Sequence, residues 1–284
     1  MGVSTMTWVD WIESGDWRGS NDIAMPMLPS LVPHVMPLVA DKDASVLRIA
    51  RVVSKEQVLA TRVLRLANSA YSAPLHEVTT INDAIVRMGT SAVRNVVLAV
   101  CFASRPTGDA YGGQGRELAD HGVGTAYLAR LVAELSGVDP DEAFMHGLLH
   151  DIGKLLLMKL SSDFVRFGGA LPPKEEMTRV VADRHAALGA DVLSRWQLPA
   201  QLQEPVMFHH NPDGASAYRK YAEVAYVANR LSHRYGFGCP ADNPDEVDLL
   251  ADPICARLGV TAAWLEQTDK RAPGLFAVAR QILA

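Results

Sequence analysis

Seven polar residues in the second half of the sequence have side chains of the types that bind divalent metal ions. They are His121, His150, Asp151, His185, His209, His210 and Asn229. His150 and Asp151 are adjacent, so one short segment supplies both a neutral nitrogen and an anionic oxygen. This mixture of donors suits a borderline divalent cation such as Fe, Mn or Zn. Because neighbours on a helix point about 100° apart, a metal ion bound by both would lie between them, against the helix face.

The segment around this pair, residues 147–154, contains three further residues of interest. Gly147 and Gly153 permit the close approach of another helix or of a ligand, because they lack side chains. Lys154 follows His150 by four residues and therefore lies on the same helix face. From there its ammonium group can bind an anionic ligand or form a salt bridge with a neighbour.

Each part of this pattern also has a purely structural interpretation. A buried His-Asp pair can be a hydrogen-bonded unit of the core, and His209 and His210 can belong to a polar helix end. The separations between successive clusters, 29, 34 and 24 residues, match no local zinc motif. The other histidines are interpreted as ordinary core or surface residues. These are His34, His76, His146 and His233.

The elements that must position these residues are predicted to be helices. Apolar residues fall at helical spacing in residues 45–53 and 58–67, and no alternating strand pattern is present. Helix-start signals occur at residues 80–83, 139–142 and 243–246, where a capping residue precedes an acidic first turn. The sequence therefore predicts an all-α protein with roughly a dozen helices.

Two segments rich in helix breakers divide this helical pattern. Residues 105–113 mark a boundary between two halves, and residues 168–173 separate helices within the second half. Near the start of the chain, Trp8 and Trp11 share one face of a short predicted helix. This face either packs on the protein's own core or binds a partner, since tryptophan is a frequent anchor of interfaces.

Composition restricts the class of protein. The chain has 284 residues, is 49% hydrophobic and carries a net charge of −5, which argues against nonspecific nucleic-acid binding. Three dispersed cysteines form neither a disulfide framework nor a thiolate zinc site, as expected for a reducing cytoplasm. No signal peptide is predicted. The longest apolar run, residues 96–103, is too short to cross a membrane.

Several motifs resemble a known family. Residues 147–154, Gly-Leu-Leu-His-Asp-Ile-Gly-Lys, resemble the HD superfamily of metal-dependent phosphohydrolases, and the wider pattern is similar to its HDOD branch. The motifs that carry the HDOD resemblance occur in the family's order, at residues 28–31, 59–70, 80–89, 185–190, 196–199 and 209–212. The similarity covers about residues 23–235.

The resemblance implies an all-α fold of two helical lobes, the second with an HD-like helical core. The implied division is an N-terminal Trp-rich segment at 1–22, an HDOD lobe at 23–110, an HD-like lobe at 111–236 and a C-terminal extension at 237–284. It also implies that His121, His150 and Asp151 correspond to ligands of a first metal. The corresponding ligands of a second site are His185, His209 and His210.

One position departs from the pattern of the catalytic relatives. Their closing metal ligand is an Asp, which is replaced here by Asn229. A neutral carbonyl oxygen in place of a carboxylate should weaken metal affinity and the activation of bound water. The Gly-Tyr-Pro signature of the related cyclic-dinucleotide phosphodiesterases is also missing after His210.

These observations leave two hypotheses for function. The first is a bacterial regulatory protein without catalytic turnover, which binds a signalling protein or a small nucleotide-like ligand and holds Fe, Mn or Zn weakly or substoichiometrically. Asn68, Trp8 and Trp11 are then candidates for the partner surface. The second is a metal-dependent phosphohydrolase acting on a nucleotide or cyclic dinucleotide, with Lys154 neutralising phosphate charge. Neither nucleic acid nor membrane is expected as a partner, and the expected location is cytoplasmic.

Overall fold

The computed structural model describes residues 6–19, 46–54, 57–69, 77–103, 114–237 and 248–283. Every regular element within these ranges is helical, which confirms the predicted all-α fold. The α-helices in these ranges are α1 Trp8–Ser14, α2 Val46–Ser54, α3 Gln57–Ala67, α4 Ile81–Met88, α5 Thr90–Ala103, α6 Gln114–Ser136, α7 Pro140–Leu149, α8 Ile152–Arg166, α9 Lys174–Arg195, α10 Ala200–Phe208, α11 Arg219–Arg234, α12 Pro253–Leu258 and α13 Ala262–Leu283. None of them combines the length and apolar composition that a membrane crossing requires.

Local sequence signals explain where several helices begin. Asp139 caps α7, since its carboxylate accepts hydrogen bonds from the backbone N–H groups of Asp141 and Glu142 at 2.8 and 3.1 Å. Pro140 occupies the first turn of the same helix, where no backbone N–H is needed. Thr80 caps α4 in the same way as Asp139 caps α7. The helix start predicted at 243–246, the motif at 28–31, the loop at 105–113, His34 and His76 lie outside the described residues.

The helices of the two halves share one hydrophobic core. Buried side chains of α1 to α5 form a continuous cluster with those of α7 to α10. A second cluster joins α6, α11, α12 and α13. The long helix α6 packs against α7, α11 and α13, so it lies between the two clusters. The division into an HDOD lobe and an HD-like lobe stays a prediction.

The C-terminal helix α13 connects distant parts of the molecule. It packs against α6 and also against α3 and α5. On its contact with α6, the guanidinium of Arg271 donates two parallel hydrogen bonds to the carboxylate of Glu134, at 2.7 and 2.8 Å. This helix therefore stabilises the arrangement of both halves.

The N-terminal tryptophans pack on the protein's own core. Trp8 and Trp11 are buried, and their rings lie 5.7 and 5.4 Å from the ring of Phe164 on α8. The nearby Trp17 is also buried and donates a hydrogen bond to the carbonyl of Ile12. Neither Trp8 nor Trp11 forms an exposed surface for a partner, because both rings are buried against α8. The intramolecular interpretation of this segment is the correct one.

Asn68 forms local hydrogen bonds at the end of α3. Its Nδ2 donates to the carbonyls of Leu64 and Val78 at 3.0 and 2.7 Å, and its Oδ1 accepts from the backbone N–H of Val78 at 2.7 Å. The side chain thus joins the end of α3 to the segment that precedes α4. This geometry favours the structural role of Asn68 over a role in partner binding.

Candidate metal centre

The His150-Asp151 pair lies at the junction of two helices. α7 ends at Leu149 and α8 begins at Ile152, and the backbone of Asp151 departs from helical geometry at φ −102° and ψ 13°. The sequence pattern placed both residues on one continuous helix. The interruption changes the angle of about 100° at which neighbours on a regular helix diverge, and both side chains face the same centre.

The first set of donor atoms belongs to His121, His150 and Asp151. The Nε2 atoms of the two histidines are 3.1 Å apart. They lie 3.4 and 3.2 Å, respectively, from Oδ2 of Asp151. All three side chains are buried. These separations suit three ligands on one metal ion, because ligand bonds near 2.1 Å place adjacent donors about 3.0–3.4 Å apart.

A second set of donors faces the other oxygen of Asp151. Nε2 of His185, on α9, and of His209, after α10, lie 3.4 and 3.6 Å from Oδ1. Nε2 of His185 is also 3.3 Å from that of His209 and 3.0 Å from that of His210. His210 is the exposed member of this set. Asp151 is therefore shared by both sets, one carboxylate oxygen facing each.

Backbone carbonyls orient the imidazole rings. Nδ1 of His150, His185 and His209 lies 2.8, 2.6 and 2.6 Å from a carbonyl oxygen of its own helix. Nδ1 of His121 contacts the carbonyl of Phe237. A carbonyl only accepts, so each Nδ1 carries the proton and each Nε2 presents a lone pair to the centre. Facing lone pairs cannot hydrogen-bond to one another, whereas a cation between them satisfies all of them.

The protonation states also suit a metal ion. Burial lowers the pKa of His150 and of His185 to about 4 each. Partial burial, with the neighbouring histidines, lowers the pKa of His210. Burial alone raises the pKa of Asp151, but the electrostatic interactions with His150 and with the ammonium of Lys154 hold it well below its usual range. At neutral pH His150, His185 and His210 are therefore neutral imidazoles and Asp151 is a carboxylate, the forms that bind metals.

Lys154 forms the salt bridge that was one of its two predicted roles. Its buried ammonium nitrogen lies 2.8 Å from Oδ2 of Asp151. The ammonium group therefore contacts the carboxylate oxygen that faces His121 and His150. A role for Lys154 in binding phosphate stays a prediction.

Asn229 lies on the face of α11 that meets His121. One turn further along α11, Oγ of Ser232 is 3.1 Å from Nδ1 of His121. Asn229 is buried, and its Oδ1 accepts no hydrogen bond from the described residues. A buried carbonyl oxygen without a partner costs free energy, so this atom fits a neutral ligand of a metal ion.

The structure adds residues that the sequence pattern did not identify. The contacts of Ser232 and the Phe237 carbonyl with His121 join positions more than 100 residues apart, and no local signal indicates them. The ring of His233 lies 5.1 Å from that of His121. His146 is fully buried, and neither ring nitrogen has a hydrogen-bond partner among the described residues. It belongs to neither donor set.

Comparison with known proteins identifies the family. The family model of the HDOD domain matches residues 25–212, about two thirds of the chain. This chain belongs to the HDOD family. Among curated relatives, the HDOD protein is 25% identical over 218 residues to an uncharacterized protein of Treponema pallidum, and 28% identical over 118 residues to ribonuclease Y of Thermus thermophilus. It spans 41% and 17% of their lengths, respectively.

Solved structures share the fold of the HDOD protein. An HDOD domain protein of Geobacter sulfurreducens is 22% identical, with a TM-score of 0.68 over 91% of this chain and 93% of the other. A Shewanella amazonensis protein whose name suggests a phosphohydrolase is 26% identical, with a TM-score of 0.63 over 91% and 95%. The shared all-helical architecture thus extends beyond the residues that the family model matches.

Proposed function

We propose that this HDOD protein is a regulatory signal-transduction protein that binds a divalent metal ion but does not turn over a substrate. The observation that carries the proposal is the donor set itself. Asp151 is its single carboxylate, Lys154 is paired with one oxygen of that carboxylate, and Asn229 stands where catalytic relatives are expected to have an Asp. The centre is therefore rich in neutral nitrogen and poor in negative charge.

This composition favours metal binding over hydrolysis. A bound divalent metal supplies Lewis acidity, polarising a phosphoryl oxygen and lowering the pKa of a bound water. That effect depends on the charge and orientation of the ligands, and loss of one well-placed electrostatic group costs about 10²–10³ in rate. Because imidazole predominates, Fe, Mn and Zn fit the donor set better than Mg or Ca. We expect weak or substoichiometric binding.

The second candidate function is a metal-dependent phosphohydrolase. Its support is the sharing of Asp151 by two donor sets, whose ligand atoms lie within 4.8 Å of one another in each set. Paired metal sites of this kind stabilise both the attacking and the leaving oxygen in phosphoryl transfer. The names of the Shewanella protein and of ribonuclease Y are consistent with such chemistry in relatives.

The partner in the regulatory proposal is a signalling protein or a small nucleotide-like ligand in the cytoplasm. The acidic net charge of −5 disfavours nucleic acid as the partner. The residues proposed for the partner surface now exclude Trp8 and Trp11, which are buried. An N-terminal surface around α2 to α5 stays a prediction.

Turnover measurements test the proposal. Wild type, Asn229→Asp and Asp151→Ala are loaded anaerobically with Fe or with Mn, and hydrolysis of nucleotides and cyclic dinucleotides is measured together with metal content. We expect no appreciable turnover by wild type and a higher metal content in Asn229→Asp. His146→Gln, which changes a buried histidine outside both donor sets, should leave metal content unchanged.

One result would overturn the regulatory proposal. Turnover by wild type at ordinary enzyme rates, about 1 s⁻¹ or faster, that is lost in Asp151→Ala would establish the phosphohydrolase instead. A wild-type protein that takes up no Fe, Mn or Zn would contradict both candidate functions.

A further inference from the structure

A cavity of about 410 Å³ lies between the N-terminal helices and the helices α6 and α13. Its volume is within the range of about 300–1,000 Å³ that is usual for small-molecule sites, which also occur preferentially where separate structural units meet. Its walls are apolar and polar in similar measure. The apolar lining residues include Leu66, Met88, Ala92, Val96, Leu131 and Leu275.

The polar groups of the cavity are mainly cationic. Three arginines line it together with a single carboxylate, that of Glu134. Arg271 is paired with Glu134, and Arg130 donates to Asp141 at 2.7 Å. Arg87 has no ion pair with any described residue, so its charge is available to an anion.

Asn95 provides a second recognition group. Only 2% of this residue is exposed, and it lines the cavity. Its Nδ2 donates to Asp141 at 3.0 Å, but its Oδ1 is buried and accepts no hydrogen bond from the described residues. A buried acceptor without a donor is unfavourable by about 1–3 kcal/mol in general, and a donor on a ligand would relieve this.

We propose that this cavity binds a small amphipathic anion. Its apolar or aromatic body packs against the walls, its phosphate, sulfonate or carboxylate binds Arg87, and an N–H or O–H group donates to Oδ1 of Asn95. This site is separate from the metal centre and does not depend on the function proposed for that centre. The ligand is a small molecule and not a macromolecule, because the polar groups of the cavity line a space between helices and are not spread over an open surface.

The cavity is connected to the metal centre through α7. Asp141, which binds both Arg130 and Asn95, lies in the first turn of α7, and His150 follows the last residue of the same helix. Arg94 of α5 also contacts Asp141, at 3.6 Å. Asp141 at the cavity and His150 at the metal centre therefore lie at opposite ends of the same helix.

Binding of defined probes tests this proposal. The fluorescent probe 8-anilinonaphthalene-1-sulfonate has an aromatic body, an anionic group and an N–H donor, and we expect one saturable site for it per chain. AMP and 1-naphthoate, as competitors, distinguish a phosphate-bearing ligand from a carboxylate-bearing one. Adenosine, which lacks the anion, should compete much more weakly than AMP.

Variants assign the probe to the cavity. Arg87→Ala should weaken binding about tenfold, as expected for loss of one charge-assisted hydrogen bond. Arg87→Lys should bind nearly as well as wild type. Arg116→Ala, which removes an exposed arginine on α6 away from the cavity, is the matched control and should have no effect. Ala92→Trp should abolish binding by filling the space.

Several outcomes would overturn the proposal. One is the absence of saturable probe binding, and another is equal affinity in wild type and in the charge reversal Arg87→Glu. Arg87 is exposed, so we expect Arg87→Glu to fold. It therefore tests the proposal even if Ala92→Trp does not fold. Metal content is measured in parallel. Neither Arg87 nor Ala92 belongs to a donor set, so the metal content of these variants should equal that of wild type. A loss of probe binding at constant metal content therefore concerns the cavity and not the metal centre.

Discussion

At the scale of single residues, the metal centre is organised by the backbone as much as by its ligands. Four histidines each use Nδ1 to contact a carbonyl, three of them within their own helix. Ring orientation and tautomer are therefore set by secondary structure before any metal binds. Such an arrangement lowers the entropy that is lost on metal binding.

Replacement of Asp151 by Ala should affect both donor sets and the stability of the fold. The change removes the shared carboxylate, and with it the oxygen that lies 2.8 Å from the buried ammonium nitrogen of Lys154. Breaking a buried ion pair in this way costs about 3–5 kcal/mol. We expect loss of all bound metal and a decrease of this size in the free energy of unfolding, measured by urea denaturation of the metal-free protein.

The double variant Asp151→Ala/Lys154→Met is the control for this prediction. It removes both charges, so it should recover most of the lost stability but none of the metal. If Asp151→Ala unfolds at the wild-type urea concentration, the pair contributes nothing to stability.

At the scale of elements, the contact between α8 and α9 positions the second donor set. Gly153 lies in the first turn of α8, two residues after Asp151, and a Cβ atom added there would lie 1.9 Å from the carbonyl oxygen of His185. The absence of a side chain at Gly153 therefore allows α8 to approach α9 closely enough for Asp151 and His185 to face one centre.

Replacement of Gly153 by Ala should force α8 and α9 apart. Overpacking of this kind costs about 1–3 kcal/mol. The second donor set should lose metal more strongly than the first, because His185 lies on α9 whereas His121 and His150 do not. The measurements are thermal unfolding and metal stoichiometry.

Gly274→Ala is the matched control for the helix contact. Gly274 is within α13, and a Cβ atom added there would lie more than 4 Å from every described atom beyond the adjoining backbone of its own helix. Alanine should there stabilise the helix by up to about 1 kcal/mol. If Gly153→Ala and Gly274→Ala had the same melting temperature and the same metal stoichiometry, the close approach of α8 to α9 would not depend on the missing side chain of Gly153.

Much at this scale was predictable from the sequence, and some was not. Helix periodicity and capping residues such as Asp139 and Thr80 are local, so the helical class and several helix starts follow from them. Residue types also indicate nitrogen and oxygen donors. The interruption at Asp151 and the burial of Trp8 on α8 depend on contacts between distant segments, which no single-sequence pattern contains. The contact of the Phe237 carbonyl with His121 also joins distant segments and could not be predicted from the sequence.

At the scale of the whole molecule, buried neutral histidines should make stability depend on pH. Burial lowers the pKa of His146 to about 3, whereas it is about 6.5 in the unfolded chain. Between these values the unfolded state binds more protons than the folded state. The contribution of His146 is therefore constant above about pH 6.5, and it lowers stability as the pH falls from there towards 3, by up to about 1.4 kcal/mol per pH unit.

Urea denaturation of the metal-free protein at pH 7 and at pH 5 measures this dependence. His146→Gln should reduce the slope by the contribution of one histidine. His146 is suited to this test because it belongs to neither donor set. An unchanged slope in the variant would mean that His146 is protonated equally in both states.

The sharing of Asp151 by two donor sets also has a consequence for charge balance. Histidines bind a metal ion as neutral imidazoles, the amide of Asn229 is neutral, and the carboxylate of Asp151 and the ammonium of Lys154 cancel formally. A divalent cation thus enters a buried region of zero net charge, and its own charge requires compensation in this poorly solvated interior. An anion that bound beside the metal would supply this compensation, and linkage requires that each would then strengthen the binding of the other by the same factor. We therefore expect the metal affinity of this centre to depend on which anions are present.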